Sequence, residues 1–167
     1  KWKRVDRSLD VYNQYKQYDN SSRFVIVGDG EVKIELEKYV LDKNMQDIVF
    51  TGGINADEVN YLLSYSNIFL SHYELSNVGN PLWEAINNQC LVVTIDNGDT
   101  GKIIKDNING IISDEKDYID NAHKLIELNK NKFEEILQNA TKTLKDNVQS
   151  WDERMEIEYL EVMNDIK

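Results

Sequence analysis

The chain has 167 residues, 41% of them hydrophobic, and a net charge of −11 from 30 acidic and 19 basic side chains. That length suits one domain with a substantial core. The acidity excludes general affinity for nucleic acid or an anionic membrane, since neither polyanion gains from such a field, although a local basic patch can still hold a small anion.

In chain order, residues 4–18 read as a helix with Val5, Leu9, Val11, Tyr12 and Tyr15 on its apolar side. Five β-branched or aromatic runs of strand length follow: RFVIVG (23–28), DIVF (47–50), NIFLS (67–71), LVVTI (91–95) and GIIS (110–113). Helix-like stretches separate them at 31–42, 55–65, 81–89 and 100–106. The chain then ends in charged, amphipathic, glycine-free segments at 115–129, 131–147 and 151–166. Near-continuous apolar strands alternating with helices predict a Rossmann-like parallel sheet with helices on both faces and a helical C-terminal tail. The apolar runs are too short to span a bilayer and no signal peptide is visible. The single cysteine, Cys90, permits no internal disulfide and sits beside an apolar run, which predicts a core thiol in a reducing, cytoplasmic setting. The opening KWKRVDRSLD carries no initiator methionine, so a piece of a longer protein is expected.

In an open α/β sheet, ligands sit outside the carboxyl ends of the strands. The loops leaving those ends read GDGE (28–31), TGGINADE (51–58), HYELSNVGNP (72–81) and DNGDTG (96–101), each with glycine or small polar residues. VGDG lacks the full dinucleotide spacing, and no P-loop is present. The third loop is the most specific. Pro81, the only proline, suits the first turn of a helix, and Asn80 before it is a preferred capping residue. The expected helix 81–89 therefore starts sharply after Gly79, with free amides and a dipole that favour an anion. Glu84 falls one turn in, suited to accept from neighbouring hydroxyls such as those of a ribose.

The run from RFVIVGDGE through DIVFTGGI, ELSNVGNPLWEAI, LVVTI and IIKDNINGIIS resembles the donor-binding, C-terminal half of a GT-B glycosyltransferase. The similarity is to the large retaining family 4, runs in order over roughly residues 1–113, and extends to SWDER at 150–154. It implies a nucleotide-sugar (donor) binding domain over 1–167, with an N-terminal acceptor domain absent from this chain. It also implies a UDP-, GDP- or ADP-sugar as donor and no metal. The expected acceptor is a glycan, a lipid-linked saccharide or another cell-envelope molecule. The place implied is cytoplasmic, with peripheral membrane contact through the absent domain.

Carried over position by position, the resemblance gives Glu84-Ala85 as the second of two spaced glutamates, holding the ribose. Gly79 is the glycine between them, and the backbone around Gly79, Asn80 and Pro81 faces the diphosphate or sugar. Gly53-Ile54 contacts the base, and Lys3 neutralises the diphosphate. Three departures stand out. Ser76 occupies the place of the first glutamate, with Glu74 two residues earlier, and Glu74 is the favoured replacement. Asn77 then reads sugar hydroxyls. Arg4 stands where a glycine often follows the lysine, and the family's opening strand and arginine lie ahead of Lys3.

Other residues point to structure. His72 borders the site loop and His123 lies on a charged helix, with no cluster of spaced metal ligands. Asp96 and Asp99 are candidate cation contacts, while Trp83 and Trp151 suit packing. Two rival readings remain open at this point: a GT-B epimerase or phosphorylase half, and a non-catalytic α/β interaction module.

Overall fold

A computed structural model describes residues 2–148. The predicted helix 151–166, Trp151 and the SWDER segment lie outside the described residues. Elements alternate as expected. They run α1 (Val5–Lys16), β1 (Phe24–Val27), α2 (Lys33–Asp42), β2 (Ile48–Gly52), α3 (Ala56–Ser64), β3 (Ile68–Ser71) and α4 (Asn80–Asn87). Then come β4 (Leu91–Asp96), the one-turn α5 (Thr100–Ile103), β5 (Ile111–Asp114), α6 (Asp120–Glu127) and α7 (Lys130–Asn147). The predicted helix 115–129 is broken: a 3-10 turn at Glu115–Asp117 precedes α6.

All strand pairs are parallel, as the near-continuous apolar runs require. One sheet was expected, and the strands instead form two, β1-β2 and β3-β4-β5. Runs of apolar residues specify strands, but not which non-adjacent strands pair, and β1 and β3 exchange no ladder hydrogen bonds.

The core gathers around β4, whose residues Leu91 to Ile95 are all buried. On one face Val92 packs with Leu82 and Ile86 of α4, Ile104, Ile112 and Ala140 of α7. On the other, Leu91 and Val93 pack with Ile111, Leu125 of α6 and Ile136 of α7. Trp83 is half-buried against the first cluster, the packing role its position predicts. Cys90 is a buried free thiol, and burial pushes it up to about 11.

Helix α1 bridges the two sheets. Its buried Leu9, Val11 and Tyr12 face inward. At one end the Tyr12 hydroxyl donates to the carbonyl of Gln46 at 2.9 Å, with that of Ser22 at 3.2 Å, where β1 and β2 begin. Lys16 adds contacts to the Ser22 carbonyl at 2.8 Å and the Asp47 carboxylate at 2.7 Å. At the other end Ser8 meets the ring of His72, just beyond β3, at 2.9 Å. Among the described residues no helix is long and apolar enough to cross a membrane.

Candidate functional site

The β3–α4 loop is built on a buried asparagine. Asn77 accepts at Oδ1 from the Ser71 hydroxyl at 2.7 Å and from the Tyr73 amide at 2.9 Å. Its Nδ2 donates to Asn97 Oδ1 at 2.9 Å and its backbone amide to Thr100 Oγ1 at 3.0 Å. The expectation that Asn77 reads sugar hydroxyls is therefore corrected. Its side chain is buried and committed to tying this loop to the β4–α5 loop.

Gly98 makes that approach possible: at φ 56° its Cα faces the Leu75 carbonyl, where an added Cβ would come to 2.9 Å. The half-buried Ser76 is also engaged, donating to the exposed Asp99 and accepting from the Val78 amide at 3.1 Å. That hydroxyl holds the Asp99 carboxyl below its ordinary range.

The helix after the loop begins one residue earlier than predicted. Gly79, in extended backbone at φ −166°, is the capping residue, Asn80 is the first helical residue and Pro81 the second. The Gly79 carbonyl already accepts from Leu82 at 3.0 Å and Trp83 at 3.3 Å, which draws Asn80 into the first turn. Pro81 still sits where an N–H would have no intrahelical partner. No side chain caps this end. Among the described residues the amides of Gly79 and Asn80 make no hydrogen bond, which leaves two donors free at the positive end of α4.

Neither φ nor space demands glycine at 79, because an added Cβ would meet only Pro81 Cδ at 3.8 Å. A bare Cα there leaves the helix start uncovered. Glu84 is exposed one turn further on, so its carboxylate carries no burial cost.

The segment before α1 closes the other side. The Glu74 amide donates to the Trp2 carbonyl at 2.8 Å, and the rings of Trp2 and Tyr73 meet edge-on at 5.3 Å. The Lys3 ammonium lies 5.3 Å from the Tyr73 ring centre and 5.5 Å from that of Trp2. Arg4 sits at φ 41°, a left-handed conformation that glycine adopts without steric cost, so glycine suits this position. Its guanidinium spans Asp6 at 2.8 Å and the half-exposed Glu74 carboxylate at 3.2 Å. The structure thus brings Lys3 and Glu74 together, with Ser76 and Asn77 forming the loop beneath and Gly79 and Asn80 at its end.

Gly53 and Ile54 lie at the carboxyl end of β2. A Cβ added at Gly53 would meet nothing within 4 Å, so that backbone is open to approach. Beside it is a hollow of about 410 Å³, lined by Thr51, Ile54, Asp57, Glu58, Tyr61 and Leu62. The VGDG turn serves structure, since the Gly28 amide bonds the Gly52 carbonyl at 2.9 Å.

A larger hollow of about 690 Å³, whose lining includes Asp96, Ser113, Asp114, Asp120 and Lys124, was not anticipated. These residues come from three separate segments, and no motif joins them. Among the described residues no group of three or more His, Cys, Asp or Glu is arranged to hold a metal ion. His123 is exposed beside Asp120. His72 is fully buried, its Nε2 accepting from Asn121 at 3.1 Å and its Nδ1 bonded to Ser8. Burial, then Arg7, push its pKa down to about 3, so the ring is neutral and internal.

Parallel strands alternating with helices, with glycine-bearing loops at their carboxyl ends, define a Rossmann-like α/β class of protein. Residues 1–148 match the family model described as glycosyl transferases group 1, and the chain belongs to that family. Poly(ribitol-phosphate) alpha-N-acetylglucosaminyltransferase of Staphylococcus aureus (strain COL) is 28% identical over 127 residues, covering 75% of this chain and 26% of that protein. The crystal structure of TarM superposes with a TM-score of 0.78 at 25% identity, covering 98% of this chain and 33% of TarM. The pneumococcal O-GlcNAc transferase GtfA, solved with UDP and GlcNAc, shares the fold with a TM-score of 0.78 at 15% identity, covering 98% of this chain and 33% of GtfA. These neighbours are GT-B glycosyltransferases, and the chain spans about a third or less of the length of each of these three.

Proposed function

We propose that this chain is the donor-binding half of a retaining glycosyltransferase and holds a nucleotide-activated sugar, with UDP as the leading nucleotide. The observation that carries the reading is the start of α4. Two amides without hydrogen-bond partners, at Gly79 and Asn80, lie at a helix end that no side chain caps. They suit the diphosphate, with Lys3 supplying a cation from the neighbouring segment. Glu84 takes the ribose hydroxyls, and the open backbone of Gly53-Ile54 takes the base.

Glu74, rather than Ser76, fills the acidic position toward the donor sugar. In support, the Ser76 hydroxyl is committed to Asp99, whereas the Glu74 carboxylate is half-exposed. Asn77 supports the loop from beneath. The choice of uridine draws on the UDP complex of GtfA and on the N-acetylglucosaminyl transfer named for the S. aureus relative.

As the donor's glycosidic bond breaks, negative charge grows on the departing diphosphate. The helix end and Lys3 stabilise that charge without a divalent cation, and groups so placed accelerate the step. In the whole protein an N-terminal domain presents the acceptor, a glycan, lipid-linked saccharide or other cell-envelope molecule. The chain alone binds nucleotide weakly and transfers no sugar.

Titration with UDP, GDP, ADP and their sugars, followed by calorimetry and amide shift mapping, tests this reading. Shifts are expected at Gly53, Ile54, Gly79, Asn80 and Glu84. A folded chain that binds none of them at millimolar concentration would instead be an α/β interaction module.

A further inference from the structure

Arg4 holds a conformation that its residue type resists. At φ 41° and ψ 49° it is in the left-handed region, directly ahead of α1. Strain of this kind persists only where surrounding contacts enforce it, and it concentrates at functional positions. The contacts here are specific. Arg4 Nη2 and Nε bond the Asp6 carboxylate at 2.8 Å and 3.1 Å, while Nη1 reaches Glu74, seventy residues along the chain, at 3.2 Å.

The planar guanidinium is thus anchored on one acid at the base of α1 and presents its remaining edge to a second acid in the site loop. The first acid holds the second's partner in place. The Asp6 carboxyl, despite partial burial, is kept below its ordinary range by Arg4. The Glu74 amide is fixed independently by the Trp2 carbonyl at 2.8 Å, so what Arg4 adds is the direction of the Glu74 carboxylate.

We infer that Arg4 is a positioning residue: fixed by Asp6, it aims the Glu74 carboxylate at the sugar of the bound nucleotide sugar while taking no part in holding the diphosphate. The inference rests on the donor-binding role of Glu74 proposed above, and it deepens that role by separating the sugar from the diphosphate. A glycine at position 4 would relieve the strained backbone and remove the guanidinium. Arg4→Gly therefore separates folding from positioning.

The test compares UDP and UDP-N-acetylglucosamine binding to the parent, Arg4→Gly, Arg4→Lys and Arg4→Gly/Glu74→Gln. Arg4→Gly is expected to melt no lower than the parent, to bind UDP within twofold of it, and to lose fivefold or more for UDP-N-acetylglucosamine. Arg4→Lys restores part of that loss, and Glu74→Gln adds little to Arg4→Gly. Unchanged UDP-N-acetylglucosamine affinity in Arg4→Gly overturns the inference. So does an equal loss for both ligands, which would place Arg4 on the diphosphate. A nucleotide-free arm uses the carboxyl-carbon NMR signal of Glu74, which must move in Arg4→Gly, and an unmoved signal also overturns it. If the parent binds neither ligand, the donor reading fails and the aiming role falls with it, while a moved Glu74 signal would then show only that Arg4 holds that carboxylate.

Discussion

The backbone amide of Asn77 donates to the hydroxyl of Thr100 at 3.0 Å, joining two loops that leave different strands. The Asn77 side chain adds three more hydrogen bonds, to Ser71, Tyr73 and Asn97. Replacing it by alanine leaves buried partners unpaired. Asn77→Ala is expected to cost about 2–4 kcal/mol of stability, read from urea unfolding, where a solvent-facing side chain would cost about 0.5 kcal/mol or less.

Glu84 gives the opposite pattern. It is exposed, so Glu84→Gln should leave stability within about 0.5 kcal/mol of the parent. Nucleotide affinity should fall by about tenfold, since hydrogen bonds to a charged acceptor contribute about 1.5–3 kcal/mol. Calorimetry with UDP checks the second arm. Unchanged affinity would remove Glu84 from the site.

Gly79→Ala isolates the uncovered helix start. The extended backbone at 79 and the open space around its Cα predict a folded protein of near-parent melting temperature. The added methyl covers the approach to the Gly79 and Asn80 amides, so diphosphate binding should weaken several-fold. Equal UDP affinity in parent and variant would show that the ligand lies elsewhere.

His72 sets an acid limb. Its folded-state pKa, about 3, lies below the ordinary value near 6.5, so the unfolded chain binds the extra proton first. The stability that His72 contributes is full above about pH 6.5 and is lost as pH falls, at about 1.4 kcal/mol per pH unit. Urea midpoints at pH 7, 6 and 5 measure the slope, and His72→Gln should flatten it. Equal slopes in the two proteins would assign the acid sensitivity to carboxylates.

Cys90 is buried and its thiol is pushed up to about 11, so thiolate is scarce at neutral pH. Alkylation should follow global opening and accelerate sharply in urea. Fast labelling in native buffer would mean that the 88–90 turn between α4 and β4 opens on its own.

Much of this was legible in the sequence. LVVTI gave β4 because a strand buried on both faces needs little beyond apolar, β-branched composition, while RFVIVG gave β1 on composition alone, since Val25 and Val27 are exposed. Pro81 located α4 to within one residue, and the miss came from Gly79, whose carbonyl captures the first helical bonds where Asn80 looked the better cap. The role of Asn77 was hidden because its partners, Ser71, Asn97 and Thr100, come from three segments whose convergence no local pattern encodes. The same holds for the division of the strands into two sheets. Glu74 and Ser76 could not be separated by spacing alone, and the proposal of Glu74 draws on the hydrogen bond from Ser76 to Asp99, which no local pattern encodes.

The two sheets differ in what lies beneath them. Between α1 and α4, Met45 is the one buried apolar side chain among the described residues, and neither α2 nor α3 buries any residue. Such a region opens with less free energy than the β3-β4-β5 core, so its amides should exchange with solvent sooner and as a cooperative unit. The open backbone at Gly53-Ile54 belongs to this looser half, and the start of α4 belongs to the firmer one. A ligand that touches both would slow exchange across β1 and β2, converting binding into local order far from the contact itself.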